Sequence, residues 1–361
     1  MVMDSPESSS LKVAIIGCGR MGGLTTDRTR NSVPPIWLPL SHAESAESID
    51  ALQLVAMCDA SPEQLSAVLG VYTHVQGFSD YRDMLQEIQP DIVGIATRTE
   101  GRCQIIHDCA NNGVKGIHAE KPMARNLTEC NYAIDAMRNN DTGFTFGAVR
   151  RYMAPYILAR NIIESGELGA LKQIIIEHGS DMLLWGHTHC VDLAFFFSGN
   201  LDVRRIQSRL KIDANDVTEH LIDSDPFLEM AYIEFDNDVS AIITNSSGLN
   251  TKLSCEKGTI VIKADGTSVE IHKKCEGRPY ELEIEQLEFD DTMSGTKQAF
   301  LNLVDYINES AFTGISLNEV ELIHRVIYGI VYSELSGGKA VSLGDVPEDL
   351  CITGRFGDLY A

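Results

Sequence analysis

The segment Lys12-Val13-Ala14-Ile15-Ile16-Gly17-Cys18-Gly19-Arg20-Met21-Gly22 constrains this chain more than any other. A continuous apolar run ending in glycines reads as a buried parallel strand that turns sharply into a helix, expected over about residues 21 to 30. At such a turn, unpaired backbone N–H groups meet a dinucleotide pyrophosphate with no side chain in the way. Gly17, Gly19, Arg20, Met21 and Gly22 are therefore cofactor-contact candidates. A second signal, Glu120-Lys121-Pro122, follows the strand-like segment from Val114 to Ala119, at a strand end where a nicotinamide ring would lie.

Between these signals the elements alternate. Leu52 to Cys58 reads as the second strand, followed by Ser61 as a helix cap with Pro62 in the first turn. Pro90 to Ala96 is a further strand, 101 to 112 a helix, and Phe144 to Gly147 another strand. Strand and helix at this spacing predict a doubly wound parallel sheet, an α/β Rossmann domain over 11–143. Asp59, at the end of the second strand, can accept hydrogen bonds from the adenosine ribose and would repel a 2′-phosphate, which favours NAD over NADP. It stands 42 residues after Gly17, and the excess length is assigned to an insertion at 31–50 containing Pro34-Pro35-Ile36-Trp37. Either that insertion is surface packing around Trp37, or it is a lid or subunit contact near the pocket.

From residue 144 onward the pattern changes to short alternating runs, including 171–178, 228–235, 239–244, 259–262 and 268–271, separated by Gly, Asp and Asn turns. They predict an α+β domain whose antiparallel or mixed sheet has one face covered by helices. Residues 319–335 have helical periodicity and are placed near the domain junction. Residues 1–10 read as a tail.

The formal charge of -23 argues against a nucleic-acid partner and against an anionic membrane, while leaving room for a basic pocket inside an acidic protein. No apolar run reaches the roughly 20 residues that cross a bilayer. Nine scattered cysteines, mostly flanked by apolar residues, suggest reduced thiols and a cytoplasmic setting.

The chain resembles the glucose-fructose oxidoreductase and inositol dehydrogenase (Gfo/Idh/MocA) family through its glycine turn, Phe78-Ser79-Asp80-Tyr81-Arg82-Asp83-Met84-Leu85, Ile95-Ala96-Thr97, Glu120-Lys121-Pro122 and a later His-x-x-Asp. The resemblance implies NAD as cofactor, a small polyhydroxylated substrate, and a substrate-binding domain over 144–361 with a large, mainly antiparallel open-faced sheet through which a homodimer or homotetramer assembles. It aligns His189 with the family's catalytic histidine and Asp192 with the residue one turn later, which would bind substrate or orient the imidazole. It also brings Ala96, Thr97, Thr99, Arg102 and Glu120 toward the cofactor, although Arg98 and Arg102 stand where the family more often has proline and histidine.

Lys121 is the first catalytic candidate, because an ammonium beside the substrate oxygen stabilises the negative charge of a departing proton. His189 is the second, as an imidazole that titrates near neutrality. The family often has aspartate where this chain has Trp185, so the orientation of His189 would come from Asp192, Asp181, Glu177 or the substrate. Trp185 offers a stacking surface for a sugar ring or aromatic aglycone, and His187 is a further substrate-contact candidate. Arg150, Arg151 and Tyr152 either contact substrate hydroxyls or form a salt-bridged helix entrance. No metal is expected at His187, His189, Cys190 and Asp192, since no distant ligand motif supports one. The expected activity is oxidation of a secondary hydroxyl of a sugar, cyclitol or glycoside by an NAD-dependent dehydrogenase. The alternatives are NAD-assisted glycoside cleavage by oxidation and elimination, a carbonyl or imine reductase, and a non-catalytic dinucleotide sensor.

Overall fold

The computed structural model describes residues 10–179, 181–290, 293–309 and 314–353; apart from Ser10, the expected tail lies outside them. The first sheet contains β1 (Leu11–Ile16), β2 (Leu52–Cys58), β3 (Gln76–Phe78), β4 (Ile92–Ile95), β5 (Gly116–Ala119) and β6 (Gly143–Phe146), in spatial order β3-β2-β1-β4-β5-β6. All its pairings are parallel. Strands β4, β5 and β6 are buried along their whole length, as continuous apolar runs covered on both faces require. The strand order reverses at β1 and β4, so the crevice at their C-terminal ends is the position where such sheets take ligands.

The helices are α1 (Asp27–Arg30), α2 (His42–Glu47), α3 (Pro62–Leu69), α4 (Tyr81–Ile88), α5 (Arg102–Asn111), α6 (Leu127–Asn139), α7 (Ala154–Ser165), α8 (Thr188–Ser198), α9 (Gly295–Ile307) and α10 (Leu317–Leu335). The helix expected over 21–30 is interrupted. Gly23 N donates to Gly19 O at 2.8 Å, and the same ladder resumes after a long gap, with His42 N on Met21 O at 2.7 Å and Ala43 N on Gly22 O at 3.0 Å. The inserted segment is thus 25–41 rather than 31–50, spliced into a helix after its first turn. Ser41 makes the resumption possible: its hydroxyl donates to Gly23 O at 3.0 Å and accepts from Glu44 N at 3.3 Å, as an N-cap does. Alternation of apolar residues could not reveal this break, because both halves of the helix are too short to show a period.

The second sheet has eight strands. Its members are β7 (Leu171–Glu177), β8 (Val203–Lys211), β11 (Phe227–Phe235), β12 (Ser240–Thr244), β13 (Asn250–Cys255), β14 (Gly258–Lys263), β15 (Ser268–Cys275) and β16 (Arg278–Leu287), in order β16-β15-β14-β13-β7-β12-β11-β8. Only β7 and β12 pair in parallel. A small sheet of β9 (Val217–Thr218), β10 (Leu221–Ile222) and β17 (Cys351–Ile352) lies apart. Helices α7, α8 and α10 pack on the large sheet, and its strands alternate buried and half-buried residues accordingly.

Two helices from the C-terminal part return to the first sheet. Phe300 and Leu303 of α9 share a core with Val13, Ile15, Leu54 and Ile92. On α10, which covers the expected 319–335 and begins two residues earlier behind a Ser316 cap, His324 Nε2 accepts from Met123 N at 3.1 Å and the Tyr328 hydroxyl donates to Ala124 O at 2.8 Å. The backbone immediately after Glu120-Lys121-Pro122 is therefore held by a helix two hundred residues away in sequence. All nine cysteines are free, and among the described residues no helix is long and apolar enough to cross a membrane.

Candidate active site

The glycine turn is shaped by close approach of backbone to backbone. Gly17 has φ of 92°, and a Cβ there would meet Ala96 C at 2.8 Å and Thr97 N at 2.9 Å. A Cβ on Gly22 would lie 1.7 Å from Gly17 O, whereas one on Gly19 would meet nothing within 4 Å. Gly17 and Gly22 thus lock the turn against the β4 end, and Gly19 leaves its outer side open, which is the space a pyrophosphate needs. Asp59 completes the turn: Oδ2 accepts from Cys18 N at 2.6 Å and Oδ1 from Ser61 N at 2.8 Å. Each oxygen keeps a second lone pair for a ribose hydroxyl. These residues fit a dinucleotide.

Arg102 is buried in the next layer. Nη1 donates to Glu120 O at 2.7 Å and to Pro122 O, and Nη2 donates to Thr97 O, so one guanidinium ties the β4 end to the Glu-Lys-Pro segment. Thr97 Oγ1 donates to Arg98 O at 3.1 Å, and the Thr99 carbonyl caps Arg102 N at 3.1 Å. Arg102 acts here through the backbone it holds.

Glu120 faces the resumed helix, where Oε1 lies 3.4 Å from His42 Nε2, and its Oε2 accepts from Lys121 N at 3.2 Å. Burial pushes this carboxyl up, but the hydrogen bond and charge of His42, with Lys121 and His118, bring it down to about 2. His42, His118 and Glu120 form the one group of metal-ligand side chains found together among the described residues. His118 Nδ1 is 2.9 Å from Thr145 Oγ1 within this hydrogen-bonded network.

The Lys121 side chain turns the other way. Its Nζ donates to Trp185 O and lies 4.0 Å from the centroid of the Trp185 ring, over which Arg20 is also placed, at 5.6 Å. Burial lowers the ammonium to about 8; Glu120 raises it, Arg150 lowers it, and Asp225 and Asp181 raise it. Trp185 belongs to a single π-helical turn, Leu183–His187, leading into α8. Such turns widen the backbone ladder by one residue and recur at functional sites. Asp225 holds this one, accepting from Leu184 N at 2.8 Å and Trp185 N at 3.0 Å. Burial raises Asp225 to about 7 against those two bonds.

His189 follows the turn, with Nδ1 buried and without a hydrogen-bond partner among the described residues. Burial pushes the imidazole well below its ordinary value, helped by the positive charges of Arg150 and Lys121, so it is neutral at pH 7. His187 packs edge to face with His178 at 5.5 Å, and burial lowers the two to about 3 and about 4.

The remaining candidates divide. Arg151 is enclosed: Nε reaches Asp192 Oδ1 at 2.9 Å and Oδ2 at 3.1 Å, and Nη2 reaches Glu319 Oε1 at 2.8 Å. Asp192 is turned onto Arg151 and not toward His189, and burial raises it to about 6 in spite of that pair. Tyr152 accepts from Phe146 N at 3.3 Å. These three are a bonded layer beneath the site, while Glu177 is spent on Lys252 and Asn250 at 2.7 and 2.9 Å. Arg150, by contrast, is close enough to Lys121, His178 and His189 to shift all three.

Residues 11–147 match the family model described as an oxidoreductase family with an NAD-binding Rossmann fold. Over these residues the chain is similar to the NAD-binding domain of the Gfo/Idh/MocA oxidoreductases. Inositol 2-dehydrogenase of Salmonella typhimurium is 28% identical over 172 residues, 47% of this chain and 45% of that one, so the chain spans less than half the length of this relative. The scyllo-inositol 2-dehydrogenase (NAD(+)) of Bacillus subtilis is 25% identical over 72% of this chain and 79% of its own length. Among solved structures, an oxidoreductase domain protein from Kribbella flavida has the same fold, with a TM-score of 0.75 at 14% identity over 94% of this chain and 100% of that one.

Sequence reasoning missed Asp225, His178 and Asp265. No local spacing marks any of them; an aspartate before proline in Asp225-Pro226 reads as an ordinary turn.

Proposed function

We propose that this protein is an NAD-dependent dehydrogenase that oxidises a secondary hydroxyl of a small polyhydroxylated compound. One observation carries the reading: Lys121, at the end of β5, and His189, at the start of α8, converge beside the crevice formed by the glycine turn. The curated relatives named above, both inositol dehydrogenases, support the substrate class. NAD, when bound at Gly17, Gly19, Arg20, Met21, Gly22 and Asp59, supplies the two-electron acceptor.

The chain's own residues handle the proton and the charge. Lys121, desolvated yet still mainly protonated at pH 7, donates a hydrogen bond to the substrate oxygen and stabilises the alkoxide as it forms. His189, neutral at pH 7, takes the hydroxyl proton on Nε2, since its Nδ1 is sealed in the interior. Asp225 orients the turn that carries Trp185, whose carbonyl and ring fix the lysine. Arg151, Asp192 and Glu319 act as positioning residues for the start of α8. The open face of the large sheet, with half-buried Ile175, Tyr232 and Ile242, is the surface through which a homodimer or homotetramer would form.

The test incubates the protein with NAD and panels of hexoses, inositols, sugar acids and aryl glycosides, and follows NADH fluorescence and product mass together. NADH with a product lighter by two hydrogens supports the dehydrogenase. Released aglycone without net NADH would replace it with oxidation and elimination. Binding of NAD with no turnover in either direction would leave a sensor.

A further inference from the structure

The spliced segment 25–41 leaves the helix directly after the glycine turn and returns at His42, which touches Glu120. Its base is tied by Glu44, whose carboxylate accepts from Thr25 Oγ1 at 2.5 Å and Arg30 Nη2 at 2.7 Å. Its far end is tied by Pro39 O, which accepts from Ser294 Oγ at 2.7 Å, just before α9. Ile36 is buried and Trp37 packs against the main core. The segment is therefore a fixed wall.

That wall ends on Arg150. The guanidinium carbon lies 4.8 Å from the centroid of the Trp37 ring, a stacked arrangement that suits a planar cation. Asp265 takes two of its nitrogens, with Nε to Oδ1 at 2.7 Å and Nη2 to Oδ2 at 2.5 Å, and is itself held by the Tyr156 hydroxyl at 2.8 Å. Fork, carboxylate and indole thus fix the guanidinium in one plane. Two donor nitrogens on this fixed pair remain: Arg150 Nη1 and Trp37 Nε1 are both buried and have no hydrogen-bond partner among the described residues.

Neither donor can be silenced by losing a proton, since the ion pair with Asp265 raises Arg150 further and an indole N–H does not titrate in water. A buried donor without an acceptor is costly, so both point to a ligand that arrives with acceptors only. A hydroxyl brings its own donor and would need a second partner; a carboxylate offers two oxygens and no proton. It would also complement Arg150 and Lys121, the two cations that depress His178 and His189. Asp265 does not oppose it, because its charge is already taken by the fork.

We infer that Trp37 Nε1 and Arg150 Nη1 form a carboxylate-binding subsite, so that the polyhydroxylated substrate of this enzyme is a sugar acid of the aldonate or uronate class. The inference rests on the dehydrogenase reading for the role of the pocket, and the two can fail separately. Calorimetric titration of the NAD-loaded protein compares D-glucuronate with D-glucose and D-gluconate with D-glucitol, while NADH fluorescence is read in the same cell. At least one acid should bind about tenfold or more tightly than its neutral partner. Trp37→Phe, which keeps the stacked ring and removes only the N–H, should erase most of that preference, and Arg150→Lys should do the same; melting curves check that both variants fold.

If neither acid outbinds its neutral partner, or if both variants keep the preference, the subsite is overturned. Acid preference without NADH formation upholds the subsite and overturns the dehydrogenase reading. NADH from the neutral sugars with no acid preference does the reverse.

Discussion

At the glycine turn the chain presents backbone; at the Arg150 wall it presents charged side chains. The first region works because side chains are missing: Gly17 and Gly22 let main chain pack on main chain, and Gly19 leaves a face open. The second works because buried charges are paired, Arg150 with Asp265 and Arg151 with Asp192 and Glu319, by residues brought from strands and helices far apart in the chain. A cofactor shared by many enzymes is met by the generic chemistry of a helix N-terminus. A particular substrate has to be met by particular side chains, and those are held in place only at the cost of desolvating them.

Breaking the charged layer should have the largest effect. Arg151→Met leaves Asp192 buried without its cation and should destabilise the fold by about 3–5 kcal/mol, read by urea unfolding. A loss under about 1 kcal/mol would show that the layer is not under the strain its burial implies. Next comes the crevice itself: Lys121→Met should lower kcat by about 10²–10³-fold, on the scale of a lost oxyanion donor, while NAD affinity changes little. In the native enzyme kcat/KM should also fall as pH rises through about 8, where Lys121 loses its proton; a rise there would make the lysine the base.

A milder substitution separates backbone from side-chain logic. Gly19→Ala adds a methyl group to open space, so stability should stay within about 0.5 kcal/mol. NAD affinity should nevertheless drop about tenfold, or about 1.4 kcal/mol, in an equilibrium titration. Unchanged affinity would remove the pyrophosphate from that face.

The smallest effect is a slope. The folded state raises Asp225 to about 7, so it holds that proton more tightly than the unfolded chain does. Stability from this group is full below the ordinary carboxyl range and declines as pH rises toward 7. Relative to Asp225→Asn, the native protein should therefore gain melting temperature on going from about pH 8 to about pH 5. A difference that stays flat with pH would mean Asp225 titrates like an exposed carboxylate.

Much of the first sheet was legible in the sequence because each of its signals is local. Leu52–Cys58 was readable to the residue, and the Ser61-Pro62 helix start was too, since a cap and a strand need only their neighbours. Motif order singled out Lys121 and His189, which the fold brings close enough for the lysine's charge to act on the imidazole. Arg150, Arg151 and Tyr152 were not separable in sequence, yet in the fold they have three different fates within one short 3₁₀ turn, Val149–Tyr152, as successive residues point to the pocket wall, the ionic layer and the β6 end.

By itself, then, the sequence determined the Rossmann sheet, the glycine turn and the acidic end of β2, since strand periodicity, glycine steric freedom and short motif spacings act over a few residues. Only the tertiary structure decided that the insertion is spliced inside a helix, that Trp37 lies against Arg150, and that Asp225 holds the Trp185 turn while Asp265 holds the Arg150 guanidinium. Those facts depend on which distant segments meet in a low-dielectric interior, where a charge must find its partner wherever the chain happens to supply one.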